Sequence, residues 1–138
     1  MATVKQIFVN LPVKNLTTSV TFFTKVGFTF DQNFTDENAT CMIIGENIYA
    51  MLLTEKFFGT FSDKTIIDAK SSTEAITALS VQSRDEVDEL ANRALEAGGR
   101  QYKEPQDHGW MYGRNFEDPD GHQWEVFFMD MSAVPQGE

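Results

Sequence analysis

The stretch Asp118-Pro119-Asp120-Gly121-His122-Gln123-Trp124-Glu125 decides the interpretation of this sequence. Its first four residues place Pro and Gly where a tight turn favours them, and the aspartates are typical turn formers. Residues 110–116 before the turn and 123–129 after it predict two strands. The stretch therefore predicts a strand–turn–strand unit near the C-terminus, with residues after 130 frayed.

A helix and another strand precede this unit. Residues 76–81 predict a strand, and Ser83 with Glu86 forms a capping box at the start of a helix. The helix carries an apolar stripe with helical spacing, namely Val87, Leu90, Ala91, Ala94 and Leu95. Gly98-Gly99 ends it, residues 100–103 are a short strand candidate, and residues 104–109 are a loop.

The first half of the chain repeats this order. Residues 7–13 alternate as a strand, Asn15 and its neighbours favour a helix start, and Gly27 suits a left-handed helix end. Strands are predicted at residues 28–34, 39–44 and 48–53, with a hairpin turn at 45–47. The order β-α-β-β-β therefore occurs twice; the two halves repeat the order of elements but share little sequence identity.

The repeat predicts an α+β fold in which two βαβββ modules form a curved mixed sheet around a concave groove, with the helices outside. Residues 1–138 form one domain, with module one at about 5–53 and module two at about 76–130. Residues 54–75 are a linker or flap, with room for a short helical turn. Phe57, Phe58 and Phe61 in this segment either cover an apolar ligand site or fill the seam between the modules.

Charge excludes two classes of partner. The 138 residues carry a formal net charge of −10, which disfavours nucleic-acid binding and docking on an anionic membrane. Five basic and thirteen acidic residues lie from position 76 onward, so the excess is concentrated in the second module. It either maintains solubility or attracts cationic ligands.

No signal peptide or membrane span is recognisable, which predicts a cytoplasmic protein. Cys41 is expected to be a buried thiol.

Three stretches together resemble the vicinal oxygen chelate superfamily, which includes glyoxalase I, extradiol dioxygenases and bleomycin-binding proteins. They are residues 10–16, residues 19–23 together with Gly27-Phe28, and the turn and strand at 118–125. The resemblance extends from about residue 7 to residue 130. It implies that enzymes of this type hold a divalent metal on four inward-facing strand positions.

Carried over to this chain, the four metal positions match Phe8, Met51, Ile76 and Glu125. Phe and Ile have no lone pair to donate, and a Met thioether is a soft ligand that suits Mg²⁺, Mn²⁺ or Ni²⁺ poorly. A shift of two residues finds Asn10, Leu53, Tyr49 and Ala78 at the other positions. We therefore predict no metal and no other cofactor; a divalent metal with unconventional ligands belongs to the alternative interpretation.

Other residues offer no clear metal site. His122 and Glu125 are three residues apart in an extended segment and point to opposite faces. His108 lies in a loop from which it could reach the mouth of the groove. Asp118 and Asp120 lack the remaining oxygen ligands of a calcium loop and are interpreted as turn formers.

Glu125 is the candidate catalytic residue, in which case it acts as a general base without metal. The alternative is a carboxylate paired with a cation such as Arg114.

The strand at 110–116 has two possible orientations: Met111 and Asn115 line the groove, or Tyr112 and Arg114 do, with Trp110 near its end. Tyr112 and Arg114 are either ligand contacts or an outer ion-pair cluster. The predicted ligand-binding residues are Phe8, Asn10, Met51, Phe57, Ile76, His108, Trp110, Met111, Tyr112, Arg114, Asn115 and Glu125.

Two functions follow from the resemblance. The first is a glyoxalase/bleomycin-resistance-like protein that binds a small organic molecule in an aromatic groove without metal. The alternative is a glyoxalase- or dioxygenase-like lyase or oxidoreductase that uses a divalent metal, or a metal-free enzyme based on Glu125. Enzymatic activity is left open. A homodimer is expected by analogy with the family, and neither nucleic acid nor a membrane is an expected partner.

Overall fold

The computed structural model describes residues 2–135, and they divide into two units. The first ends at Ile67 and the second begins at Asp68. Each unit contains a four-stranded mixed sheet, and the predicted α+β fold with two modules is confirmed. No helix within these residues is both long enough and apolar enough to cross a bilayer.

The first unit follows the order β-α-β-β-β. Its elements are β1 (Ile7–Val13), α1 (Leu16–Val26), β2 (Thr29–Asp31), β3 (Ala39–Gly45), β4 (Ile48–Thr54) and the short helix α2 (Glu55–Phe58). The sheet order is β1-β4-β3-β2, with β1 parallel to β4 and the other pairs antiparallel. The first strand of the unit therefore pairs with the last.

The second unit repeats this topology. Its elements are β5 (Ile76–Ser80), α3 (Arg84–Glu96), β6 (Gln106–Asp107), β7 (Met111–Glu117) and β8 (Gln123–Met129). The sheet order is β5-β8-β7-β6, with β5 parallel to β8. The two sheets thus have the same strand order, position for position.

Each unit buries apolar side chains of its long helix together with side chains of its last long strand. In the first unit, Phe22, Phe23 and Val26 of α1 are almost completely buried, as are Ala50 and Leu52 of β4. In the second unit, a core forms around three completely buried residues, Val87 and Ala91 of α3 and Val126 of β8. Cys41 is buried, as expected of a structural thiol, and burial raises the pKa of its side chain.

Both long helices begin at the predicted caps. The Asn15 side chain accepts a hydrogen bond of 3.0 Å from the Thr18 N–H, and the Ser83 hydroxyl accepts one of 3.1 Å from the Glu86 N–H. The Glu86 carboxylate accepts the Gln82 N–H at 2.8 Å, so the reciprocal bond of this box reaches one residue further back than the usual pattern. Capping residues satisfy N–H groups that have no partner inside the helix.

Two predicted strands differ from the observed ones. The strand predicted at residues 28–34 ends at Asp31, because the Asp31 carboxylate accepts the Asn33 N–H and a 3₁₀ turn follows at residues 32–34. The strand predicted at 100–103 is wrong: Arg100 forms only an isolated bridge with Glu117. The edge strand β6 lies instead at residues 106–107, in the segment predicted as a loop.

The turn at residues 118–121 is organised by the buried carboxylate of Asp118. One of its oxygens accepts the N–H groups of Asp120 and His122, each at 3.0 Å. Burial raises the pKa of this carboxyl. Gly121 has φ of 90°, and a Cβ at this position would lie 2.8 Å from the backbone nitrogen of Lys70. The turn therefore needs Gly both for its conformation and for the close approach of residues 69–70.

Candidate functional site

Glu125 lies in the middle of the second sheet, between two neighbouring strands. Its cross-strand partners are Ala78 on β5 and Asn115 on β7. Because side chains alternate along a strand, Ile76 and Met111 lie on the same face of the sheet as Glu125. Four residues of the predicted ligand site therefore come together on this face: Ile76, Met111, Asn115 and Glu125.

A pocket of about 90 Å³ opens on this face of the second sheet. The strands contribute Ile76, Met111, Gly113, Arg114, Asn115 and Glu125, and the segment before β7 contributes Tyr102, Lys103 and Gln106. A water molecule occupies about 30 Å³ in the liquid, so the pocket accommodates one small chemical group rather than a whole drug-sized ligand.

Asn115 shapes one wall of the pocket through the backbone of residues 102–103. Its side-chain oxygen accepts the N–H groups of Tyr102 at 3.0 Å and Lys103 at 3.1 Å, and its amide nitrogen donates to the Lys103 carbonyl at 2.9 Å. Asn115 is only 7% exposed. Its side-chain oxygen and one N–H of its amide are thus used inside the protein, where they fasten the 102–103 segment to β7.

Glu125 and Tyr102 are the two acidic groups that line this pocket, together with the basic residues Lys103 and Arg114. Burial raises the pKa of Tyr102, and the negative charges of Glu125 and Glu117 raise it further. The Tyr102 hydroxyl donates to the Trp124 carbonyl at 3.4 Å. No hydrogen bond or ion pair from residues 2–135 engages the Glu125 carboxylate. That carboxylate is therefore available to a ligand as a hydrogen-bond acceptor.

Tyr112 and Arg114 project toward α3. The Tyr112 hydroxyl donates to the Asp88 carboxylate at 2.5 Å, and the Arg114 guanidinium donates to Asp88 at 3.1 Å and to Asn92 at 2.9 Å. The Tyr112 hydroxyl and then the Arg114 guanidinium lower the pKa of Asp88. Of the two roles considered for this pair, the geometry corresponds to the outer ion-pair cluster. The suggested pairing of Glu125 with Arg114 is wrong, because the Arg114 guanidinium is bonded on the α3 side.

Three predicted residues of the first unit, Phe8, Asn10 and Met51, lie on one face of the first sheet. Phe8 is stacked on Tyr49 with ring centroids 4.7 Å apart, and its side chain remains 45% exposed. Two residues further along the strands, Asn10 pairs with Met51, and Met51 pairs on its other side with the buried Cys41. This face thus carries aromatic and soft apolar groups together with one exposed amide.

Three other predicted residues do not line the pocket. His108 and Trp110 stack on each other at the tip of the β6–β7 hairpin, with ring centroids 6.2 Å apart. Phe57 belongs to α2 in the first unit and packs edge-on against Phe61. None of the three is among the residues that line the second-unit pocket.

The side chains at the four family metal positions do not fit a metal centre. Within residues 2–135, no group of three or more His, Cys, Asp or Glu side chains is arranged to hold a metal ion. Phe8 is committed to its stack on Tyr49, and Ile76 brings no donor atom to the face that carries Glu125. A single carboxylate among apolar side chains is a poor ligand set for a hard divalent cation.

Four lining residues were not anticipated from the sequence: Tyr102, Lys103, Gln106 and Gly113. Gly113 could have been found, since it lies between Met111 and Asn115 on the same face of a predicted strand. The other three lie in irregular chain whose position is set by Asn115 and by the two-residue strand β6, and local pattern carries no signal for either.

Comparison with known proteins agrees with this architecture. Residues 5–126 match the model of the Glyoxalase/Bleomycin resistance protein/Dioxygenase superfamily. Among curated proteins, none matches the chain.

Solved structures resemble the chain over nearly its whole length. A hypothetical protein from S. aureus, SA1046, is 28% identical, with a TM-score of 0.78 and coverage of 92% of this chain and 95% of that one. A glyoxalase-related enzyme from Fulvimarina pelagi is 19% identical, with a TM-score of 0.76 and coverage of 97% and 94%. A glyoxalase/bleomycin resistance protein/dioxygenase from Nocardioides is 20% identical, with a TM-score of 0.72 and coverage of 100% and 91%.

Proposed function

This chain belongs to the Glyoxalase/Bleomycin resistance protein/Dioxygenase superfamily, and from that premise we propose that it binds a small organic molecule without the metal of the family's enzymes. The observation that carries the proposal is the second-unit pocket, in which Glu125 stands without an ion-pair partner from residues 2–135 among side chains that cannot complete a metal site.

The pocket favours a ligand with a cationic or hydrogen-bond-donating group. The Glu125 carboxylate accepts hydrogen bonds only, and the side-chain oxygen of Asn115 already accepts the backbone N–H groups of residues 102–103. The net charge of −10 draws cations toward the protein over longer distances. One compact group of the ligand enters the pocket of the second unit.

Calorimetric titration with organic probes and metals tests this proposal. The probes are bleomycin as a cationic compound, catechol, an S-alkyl glutathione, and the chlorides of Zn²⁺, Mn²⁺ and Ni²⁺. We expect an organic probe to bind and to raise the melting temperature by mass action, in protein treated with chelator. Stoichiometric metal retained through purification, with no organic probe bound, would contradict the proposal.

Charge-matched variants locate the binding site. Glu125→Gln should weaken binding of a cationic probe about tenfold or more, because it removes a charge-assisted hydrogen bond. Glu104→Gln removes the same charge from an exposed residue of the second unit that does not line the pocket. Equal effects of the two changes would show that only overall charge matters.

An enzymatic role for Glu125 is the second candidate. Glu125 and Tyr102 both line the pocket, which therefore contains a carboxylate and a phenol whose pKa is raised by burial and then by the charge of Glu125. This pair could move a proton on a bound ligand without metal, as a lyase or isomerase requires. In that case Glu125→Gln abolishes turnover while the probe still binds.

A homodimer is part of the proposal by analogy with the family. Light scattering coupled to size exclusion tests it directly. A dimeric mass at micromolar concentration is the expected result, and a monomer at that concentration would contradict it.

A further inference from the structure

A polar clamp joins α3 to the hairpin that carries the pocket rim. Both terminal nitrogens of Arg84, the first residue of α3, bond to the Asp107 carboxylate, at 2.9 Å and 2.8 Å. One of them also donates to the Gly109 carbonyl at 3.1 Å. The guanidinium lies 5.0 Å from the centroid of the Tyr112 ring. A bidentate ion pair that also stacks on an aromatic ring fixes the orientation of the guanidinium as well as its distance from the carboxylate.

The clamp belongs to a stripe of matched polar residues. Arg84, Asp88 and Asn92 follow one another at intervals of four along α3 and therefore share one helix face. They meet Tyr112 and Arg114, which alternate on one face of β7. The helix thus holds β7 through its outer face while the inner face lines the pocket.

The strand β6 has few other contacts to hold it. It consists of two residues at the edge of the sheet, paired with β7 as Gln106–Gly113 and Asp107–Tyr112. The His108 N–H closes the hairpin by donating to the Met111 carbonyl at 2.8 Å. Because neighbouring side chains alternate, the residue next to Asp107 faces the other side of the sheet. That residue is Gln106, which lines the pocket.

We propose that Arg84 is a positioning residue for the pocket: through Asp107 it holds β6, and with it Gln106, at the pocket rim. Arg84 itself is not among the lining residues. The importance of this role for a ligand rests on the proposed binding function. Asn115 fixes the segment at one end, residues 102–103, and Arg84 fixes it at the other.

Amide hydrogen exchange in the full chain without ligand tests the clamp. Arg84→Gln should speed exchange in β6 and at Gly113 about tenfold relative to the amides of β8, because it frees a locally held strand. Arg84→Lys, which keeps the charge but loses the bidentate geometry, should give a smaller increase. Arg93→Gln breaks the exposed Arg93–Glu89 pair on the same helix and should leave β6 unchanged.

A second readout separates positioning from general stability. The Arg84 guanidinium and the Gly109 N–H hold the pKa of Asp107 well below its usual range. In Arg84→Gln, the pKa of the Asp107 carboxyl, followed by carbon-13 NMR, should return toward the ordinary range. In Arg84→Lys it should lie between the values of the unaltered protein and of Arg84→Gln. Unchanged exchange in β6, or an equal acceleration at every amide of the second unit, would overturn the proposal.

Titration with bleomycin connects the clamp to binding. Arg84→Gln should weaken its affinity about three- to tenfold while Arg93→Gln does not. If β6 loosens and the affinity stays the same, Arg84 does not position the pocket. If bleomycin, catechol and the S-alkyl glutathione all fail to bind the unaltered protein, the binding proposal fails, and the exchange experiment still decides whether Arg84 holds β6.

Discussion

The indole Nε1 of Trp124 donates a hydrogen bond of 3.0 Å to the Asp118 carboxylate, six residues earlier in the chain. Trp124 is only 1% exposed and Asp118 only 7%. The bond ties the turn at residues 118–121 to the first buried side chain of β8. Since Glu125 follows Trp124 directly, it also fixes the start of the strand that carries the candidate site.

Replacing Asp118 should therefore destabilise the second unit strongly. Asp118→Ala removes the buried carboxylate that accepts three hydrogen bonds, from the N–H groups of Asp120 and His122 and from the Trp124 indole, at a cost of about 2–4 kcal/mol in the free energy of unfolding. Denaturant titration measures the loss. Glu96→Ala, at an exposed position of α3, is the control and should change stability by less than about 0.5 kcal/mol.

Two glycines with positive φ should respond differently to Ala. Gly98 has φ of 105° and open space around its Cα, so Gly98→Ala costs only backbone strain, about 1 kcal/mol. Gly121→Ala adds a Cβ that meets backbone atoms of residues 69 and 70, and should cost about 2–4 kcal/mol. Equal melting temperatures for the two variants would contradict the close approach at Gly121.

Loss of the Asn115 side chain should open the pocket wall. Asn115→Ala removes three hydrogen bonds to residues 102–103 and should lower the free energy of unfolding by about 2–4 kcal/mol. Asn92→Ala removes one exposed contact with Arg114 and should cost less than about 1 kcal/mol. Chemical denaturation compares the two, and a similar loss in both would argue against a special role for Asn115.

Alkaline titration should reveal the charge of Glu125. Burial and the nearby carboxylates raise the folded-state pKa of Tyr102, so its stabilising contribution is complete below the unfolded value and is lost as the pH rises through the folded value. Glu125→Gln should move the Tyr102 midpoint downward, but not to its ordinary value, because burial remains. Tyrosinate absorbance, with Tyr102→Phe to assign the signal, measures this shift. Glu104→Gln should leave the midpoint in place.

Most of the fold could be predicted because its strands and helix caps are local signals. Alternation and turn residues locate β8, and Ser83 and Asn15 mark the two helix starts. The strand β6 escaped prediction because nothing in two polar residues favours a strand; its position depends on Arg84, more than twenty residues away.

The site was predictable only in part. Sequence alternation separates Met111 and Asn115 from Tyr112 and Arg114, but leaves open which pair faces α3. The deciding signal was present in the spacing of Arg84, Asp88 and Asn92, which forms a polar stripe on a helix otherwise recognised by its apolar one. The wall formed by residues 102–103 depends on hydrogen bonds from Asn115 and has no local signal.

The pairing of first and last strands in each unit has a consequence for synthesis on the ribosome. All strand partners of the first sheet lie between Ile7 and Thr54, so that sheet can form before the second unit has been translated. The second sheet forms later, because β5 pairs with β8, and β8 ends only at Met129. Pairing therefore requires that this last strand has left the exit tunnel. A nascent chain should therefore acquire its protease resistance in two steps, and the pocket should be the last part of the molecule to appear.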